Sequence, residues 1–224
     1  MTHIKNLKVI VKLKLSGDSR KYMLLGLYSL LTSIIGYTLL FYFIISKLFY
    51  VSILLACLLT LTSLTLDKYA IQVTENVLLS TSGSIVPLSV VLILLSIYIM
   101  NLQFLIVLPI GILLSFAACI SQKKIYVKEG VLIEFPLLPI IASSSTIVLL
   151  SKAYNLKLFQ AIALSYISPV IGLLLALDIL PILKIRNIMG KTKVMVIGGA
   201  GVRDAIYLSG LTSIIITLLL WYSP

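Results

Sequence analysis

Apolar residues fill long segments of this chain, and polar residues are concentrated in the short connections between them. Seven of these segments approach or reach the ~20 residues with which a helix crosses a bilayer. We predict seven transmembrane helices that form one domain over residues 22–222, after an N-terminal segment of residues 1–21. The predicted spans are residues 22–45, 48–66, 84–100, 104–120, 135–150, 158–180 and 205–221.

Several connections have the alternating pattern of β-strands. Residues 8–15 read KVIVKLKL, with a period of two that is typical of a strand. Residues 69–83 and 123–136 have such a pattern on both sides of a turn, which predicts two hairpins; Glu129-Gly130 in the second suits a two-residue turn. An isolated hairpin is only marginally stable in water. We therefore predict that both hairpins, the N-terminal strand and KVMVI at 193–197 form one small cytoplasmic β-sheet.

The two predicted hairpins are also similar to each other. At a spacing of 54 residues, five of nine positions are identical, and each hairpin lies between two apolar segments. This pattern predicts an internal repeat of span, hairpin and span, with the KVMVI region as an altered third copy. Chance similarity between β-branched strings is the alternative interpretation. The identical pairs are Ile71 and Ile125, Val73 and Val127, Glu75 and Glu129, Val77 and Val131, and Leu78 and Leu132.

Composition and charge support an α-helical polytopic membrane protein. The chain is 60% hydrophobic and 11% charged, with a mean hydropathy of +1.17. Its net charge of +11 would favour nucleic-acid binding in a soluble protein, but 15 of the 18 Lys and Arg residues lie in connections that seven spans place on the side of the N-terminus. This asymmetry predicts the cell membrane, with the N-terminus in the cytoplasm and the C-terminus outside. The predicted partner is the lipid bilayer rather than nucleic acid, and the sequence carries no signal of oligomeric state.

Two carboxylates lie at the ends of apolar segments. Asp178 follows the apolar run that begins at Leu158, and Asp204 precedes the run from Ala205 to Trp221, so a membrane hairpin brings the two together. An ionisable group at membrane depth is costly and indicates a site. Two carboxylates close together in a low-dielectric site share a proton, and one then acts as a base and the other as an acid. The pair predicts an intramembrane aspartyl peptidase acting on a membrane peptide. Glycines that allow the backbone to approach the second carboxylate are Gly198, Gly199 and Gly201.

Other catalytic chemistries lack their residues. The two cysteines, Cys57 and Cys119, both lie in apolar runs, and the single histidine is His3, before the first span. There is no H-E-x-x-H motif for zinc and no histidine in the membrane to activate a serine. We therefore predict no metal, no cofactor and no disulfide.

The two aspartates also have structural interpretations. Asp is a preferred N-cap, so Asp204 could cap the last span, and Asp178 could pair with Lys184 or Arg186 at the membrane interface. The same carboxylates could bind a proton or a cation in a transporter or channel. A non-catalytic membrane scaffold is a further alternative. Interrupted helices, as transporters have, are suggested by Pro87, Pro136, Pro139 and Pro169.

Three stretches carry a resemblance to known families. They read GSIVPL at 83–88, LALDILPI at 175–182 and VIGGAGVRDAIYLSG at 196–210. Together they resemble the polytopic membrane family known as domain of unknown function 1614, over roughly residues 50–222. That resemblance implies a fold but no activity.

A more distant resemblance is to the presenilin and signal-peptide-peptidase class. That class has an Asp in span six, a Gly-x-Gly followed by Asp at span seven, and a cytoplasmic N-terminus. The resemblance implies that Asp178 and Asp204 occupy its catalytic positions. The sequence departs from the class because Val202 and Arg203 stand between the last glycine and Asp204, and because no later Pro-Ala-Leu span follows.

Overall fold

The computed structural model describes residues 19–44, 48–67, 69–74, 77–122, 124–127, 130–133, 137–181, 195–200 and 204–223. In this part of the chain the helices are α1 (Ser19–Ile44), α2 (Phe49–Leu66), α3 (Val86–Tyr98), α4 (Leu102–Ile120), α5 (Leu137–Ala153), α6 (Leu158–Leu173) and α7 (Ala205–Tyr222). Two π-helical turns extend the helices. The first π-turn (Thr81–Ile85) leads into α3, and the second π-turn (Leu174–Ile179) continues α6.

The helices have the length and surface of membrane spans. In the described residues six helical segments are long and apolar enough to cross a bilayer, and α5, with 17 residues, is a shorter apolar helix. Their outer faces carry exposed large apolar side chains, which only a lipid environment solvates well. Examples are Leu54, Leu92, Leu113 and Leu149. The prediction of an α-helical polytopic membrane protein is confirmed.

Helix α6 is the centre of the bundle. Nearly all of its residues from Gln160 to Leu173 are buried, and it packs against α4, α5 and α7. The contact with α4 depends on small residues. A Cβ on Gly111 would lie 2.5 Å from the Ser168 hydroxyl, and one on Gly172 would lie 2.7 Å from the Ser115 Cβ. Glycine and serine thus allow the two helix backbones to approach closely, as small residues do in membrane bundles.

The strands form two sheets in the described residues. Strands β1 (Ala70–Thr74), β2 (Val77–Ser80) and β5 (Met195–Ile197) make a sheet in the order β1-β2-β5. Strands β3 (Lys124–Val127) and β4 (Gly130–Ile133) pair only with each other. Both predicted hairpins and the KVMVI strand are confirmed, but the second hairpin does not join the sheet, so the prediction of a single sheet is wrong for these elements. The predicted strand at 8–15 lies outside the described residues.

The helix, hairpin and helix unit of the predicted repeat occurs twice. The two hairpins nevertheless differ in register. Ile71 faces Leu79, whereas the corresponding Ile125 faces Leu132, one position away from the equivalent partner. The offset begins at the innermost pair, which is Thr74 with Val77 in the first hairpin and Val127 with Gly130, one position earlier in the repeat, in the second. A bulge between Gln72 and Thr74 leaves one residue of β1 unpaired and reduces this offset.

The parallel pairing of β2 with β5 positions the region of the candidate site. Leu78 lies opposite Val196, and Leu79 opposite Ile197. Because the strands run in the same direction, their carboxyl ends lie side by side. Strand β2 continues into the first π-turn, and β5 continues into the glycine turn (Gly198–Ala200) that precedes α7. Two turns that are more than 100 residues apart in sequence are therefore neighbours.

Candidate aspartate site

Asp178 lies on the second π-turn. A π-helical turn adds a residue to a helix and occurs frequently at functional sites. Here the turn continues α6 at the end of the bundle where the hairpins lie, since β4 contacts it. Asp178 is partly buried there, and its neighbours Ala176 and Leu177 are fully buried. The apolar packing of the turn therefore holds a carboxylate at the end of a membrane helix.

Asp204 is the N-cap of α7. Its backbone is extended (φ −66°, ψ 144°), and its side chain accepts a hydrogen bond from the Ile206 N–H at 2.9 Å. A second, longer hydrogen bond comes from the Ala200 N–H at 3.4 Å. The capping role that the sequence allowed for Asp204 is thus present. Capping also orients the carboxylate, because both of its oxygens accept from backbone groups.

The glycine turn connects the two carboxylates. The Ala200 N–H donates to the carboxylate of Asp204, and the Gly198 N–H interacts with that of Asp178. The two carboxylates also interact electrostatically with each other. Asp178 and Asp204 therefore lie near the same turn, and backbone groups of that turn interact with both.

Gly198 has a conformation that favours glycine. Its φ is +68°, in the left-handed region, and its α-carbon faces the backbone of the first π-turn. A Cβ there would lie 2.6 Å from the Gly83 carbonyl carbon and 2.8 Å from the Ser84 nitrogen. Gly199 has no such requirement, because a Cβ on it would make an ordinary contact with Val196 at 3.4 Å. Gly201 lies outside the described residues.

Burial governs the electrostatics of Asp204. Removal from water raises the pKa of this carboxyl from its ordinary 3.8 to about 6, against the opposing effect of the Ile206 and Ala200 hydrogen bonds. A carboxyl with such a pKa can both hold and release a proton near neutral pH. That property is the one needed in acid–base chemistry.

Sequence reasoning missed one part of this region. The Asp67 carboxylate, at the end of α2, accepts a hydrogen bond from the Ser82 hydroxyl on the first π-turn at 2.7 Å. Ser82 and Ser84 are fully buried. The sequence signal that could have indicated this region is the GSIVPL stretch. Its first two residues, Gly83 and Ser84, are those that contact Gly198.

Other predicted partners fall outside the described chain. They are Lys184 and Arg186, so the salt-bridge interpretation of Asp178 stays a prediction. Cys57 and Cys119 are not joined by a disulfide. Among the described residues no group of three or more His, Cys, Asp or Glu side chains is arranged to hold a metal ion.

The bundle and its small sheets define a multi-pass α-helical membrane protein with two aspartates at one end. The particular family follows from a family model that matches residues 50–216: the chain belongs to the family described as "Protein of unknown function (DUF1614)". No curated protein and no solved structure matches the chain. Helix α1 precedes the matched region, which contains nearly all of α2, the whole of α3 to α6, the first two thirds of α7 and both aspartates.

Proposed function

We propose that this protein is an intramembrane aspartyl peptidase with Asp178 and Asp204 as its catalytic pair. The observation that supports the proposal is the convergence of the two carboxylates on one glycine turn, each with a backbone donor from that turn. The raised pKa of Asp204 is consistent with this role. Neither feature is needed merely to end one helix and begin another.

The reaction uses the two carboxyls as one unit. With a single proton shared between them, the ionised carboxylate removes a proton from a water molecule, and the protonated carboxyl donates to the carbonyl oxygen of the scissile peptide. The water oxygen bonds to the carbonyl carbon, and the proton taken by the base then goes to the leaving nitrogen. The macroscopic titration belongs to the pair rather than to either residue.

The sheet offers a place for an extended substrate. In the described part of the chain β5 pairs with β2 along one edge only, and β5 leads directly into the glycine turn. An extended peptide that adds to an open strand edge satisfies its backbone hydrogen bonds. We propose that an unwound membrane peptide pairs with β5 and so presents a peptide bond to Asp178 and Asp204.

The proposed setting is the cell membrane, with the N-terminus and the aspartate site on the cytoplasmic side. Strand β5 pairs with the first hairpin, and β4 of the second hairpin contacts the second π-turn, so all of these elements share one end of the bundle. The connections at that end of the bundle contain most of the lysines and arginines. Such residues are enriched on the cytoplasmic side.

The test is cleavage of membrane peptides by the purified protein in detergent or nanodiscs. A panel of single-span peptides with different sequences is incubated with wild type, Asp178→Asn and Asp204→Asn, and products are identified by mass spectrometry. Each substitution should reduce cleavage to background, because a carboxyl pair loses its acid–base function when either member is removed. Glu75→Gln, between β1 and β2, is the matched carboxylate-to-amide control and should cleave normally.

The folded state of each variant is checked by size-exclusion chromatography and thermal unfolding. Cleavage that persists in Asp178→Asn or Asp204→Asn would disprove the proposal. Absence of cleavage by wild type across the panel would count equally against it.

Proton- or cation-coupled transport is the second candidate function. Its support is a set of buried hydroxyls in the bundle interior that have no hydrogen-bond partner within the described residues, unlike the many serines and threonines that donate to their own helix. A polar interior of this kind is expected along a transport path. Proton uptake by liposomes that contain the protein, measured with a pH-sensitive dye, separates this function from proteolysis. The hydroxyls belong to Ser115, Ser144, Ser151, Ser168 and Thr217.

A further inference from the structure

Asp67 stands at an unfavourable position for an anion. It is the C-cap of α2, where the helix dipole is negative and a carboxylate is destabilised. A residue that is unfavourable at its own position usually has a compensating role elsewhere in the structure. Here the Asp67 carboxylate accepts the Ser82 hydroxyl at 2.7 Å, which attaches the end of α2 to the first π-turn.

The first π-turn is held from several sides. The Ser80 hydroxyl accepts the Gly83 N–H at 3.3 Å, and the Ser84 hydroxyl donates to the Ser80 carbonyl at 2.6 Å. Both the backbone and the hydroxyl of Thr81 donate to the Tyr69 carbonyl. The turn is therefore a rigid surface, and the Asp67 bond is its connection to α2.

This surface supports the turn that serves the aspartates. Gly198 packs on the backbone of Gly83 and Ser84, and its N–H interacts with Asp178. A shift of the π-turn would displace Gly198 and with it the donor to Asp178. The contacts thus run without interruption from Asp67 through Ser82 and Gly198 to Asp178.

We infer that Asp67 and Ser82 are positioning residues of the aspartate site, which act through the hydrogen bond that Ser82 donates to Asp67. The inference rests on the proposed function for its catalytic consequence. Its structural part, the position of the Gly198 N–H, is independent of any activity.

The acceptor role can be separated from the charge by substitution. Asp67→Asn keeps a carbonyl oxygen that accepts from Ser82 and should behave like wild type. Asp67→Ala and Ser82→Ala remove the bond and should lower kcat by about 10- to 100-fold with KM nearly unchanged, because a small displacement of a catalytic group has effects of that size. The matched control is Ser96→Ala, since the exposed Ser96 hydroxyl donates to the Ile93 carbonyl within α3.

A spectroscopic readout makes the test independent of cleavage. Labelling with 13C-carbonyl isoleucine and 15N-glycine selects the four Ile-Gly pairs of the sequence, and the signal of Gly198 is the one lost in Ile197→Val. Its amide proton should shift upfield in Asp178→Ala, because the carboxyl with which it interacts is removed. Asp67→Ala and Ser82→Ala should shift it in the same direction, and Asp67→Asn and Ser96→Ala should not.

Each outcome decides the inference. An unchanged Gly198 signal in folded Asp67→Ala and Ser82→Ala would overturn it, and so would an equal shift of that signal in Ser96→Ala. Where Asp67→Ala does not fold, Ser82→Ala alone carries the test, since it removes a single oxygen. If wild type cleaves no peptide, the proposed function fails, while the amide signal still decides whether Asp67 and Ser82 position the turn.

Discussion

The α-carbon of Gly198 faces the backbone of Gly83 so closely that a Cβ would lie 2.6 Å from the Gly83 carbonyl carbon. This contact joins the turn that precedes α7 to the turn that precedes α3. It follows from the parallel pairing of β2 and β5, which places the carboxyl ends of both strands together. The turn carrying the donors for both aspartates therefore has a fixed support.

Substitution of Gly198 by alanine should destabilise the protein strongly. The left-handed backbone costs an alanine about 1–2 kcal/mol, and the overlap with the Gly83 backbone adds about 1–3 kcal/mol. Thermal unfolding in detergent measures the loss. Gly199→Ala is the matched control, because its Cβ would be in ordinary contact, and it should unfold close to the wild-type temperature. Equal stability of the two variants would contradict the contact.

The N-cap of α7 predicts a difference between two substitutions of Asp204. Alanine cannot accept from the Ile206 N–H and should lower the free energy of unfolding by about 1 kcal/mol. Asparagine caps equally well and should retain this contribution. Urea or thermal unfolding in detergent at neutral pH compares them. A more stable Ala variant would show that the cap contributes nothing.

Stability should also depend on pH through Asp204. Its pKa is about 6 in the folded protein and near 3.8 when exposed, so between these values the folded state binds more protons than the unfolded state. The contribution of Asp204 therefore decreases as pH rises from about 4 to about 6, by at most about 3 kcal/mol, and is level above that range. Asp204→Asn should lack this part of the pH dependence. The unfolding temperatures of wild type and Asp204→Asn are measured from pH 4 to pH 8. A constant difference between the two proteins over this range would contradict the prediction.

The close packing of α4 on α6 predicts a compensating pair. Gly111→Ala places a Cβ against the Ser168 hydroxyl and should destabilise the bundle by about 1–3 kcal/mol. Adding Ser168→Gly removes the obstructing side chain and should restore much of the loss. A double-mutant cycle on the unfolding temperatures quantifies the coupling. Additive effects of the two substitutions would mean that the helices do not meet at these residues.

Membrane sidedness can be measured by cysteine labelling in intact cells and in inverted vesicles, after Cys57 and Cys119 are replaced by alanine. Cysteines at Val73, in β1, and at Glu129, in the second hairpin, should label only from the cytoplasmic side. A cysteine at the exposed Tyr154, after α5, should label from outside. Labelling of Glu129 and Tyr154 from one side would exclude the proposed seven-span arrangement.

Much of the fold was predictable because it is encoded locally. Long apolar segments gave the helices, since a backbone surrounded by lipid satisfies its hydrogen bonds within a helix. Alternation gave the hairpins at 70–80 and 124–133. The two aspartates stood out because charged residues are rare in apolar segments.

The remaining features were beyond local reasoning. Alternation shows that a segment is a strand but not which strand it pairs with, so the second hairpin was wrongly expected to join the sheet. The irregular π-turns leave no hydrophobic period. The role of Asp67 could not be predicted, because nothing near it in sequence indicates Ser82, 15 residues further on, as its donor.

The sequence by itself determined the membrane class, the positions of the apolar helices and strands, and the two carboxylates worth attention. Hydropathy, alternation and charge are properties of neighbouring residues and need no knowledge of packing. Only the tertiary structure decided that β5 pairs with β2, that Gly198 consequently rests on Gly83, and that its N–H meets Asp178. These contacts join segments more than 100 residues apart, and their register depends on the shape of the whole bundle rather than on any local pattern.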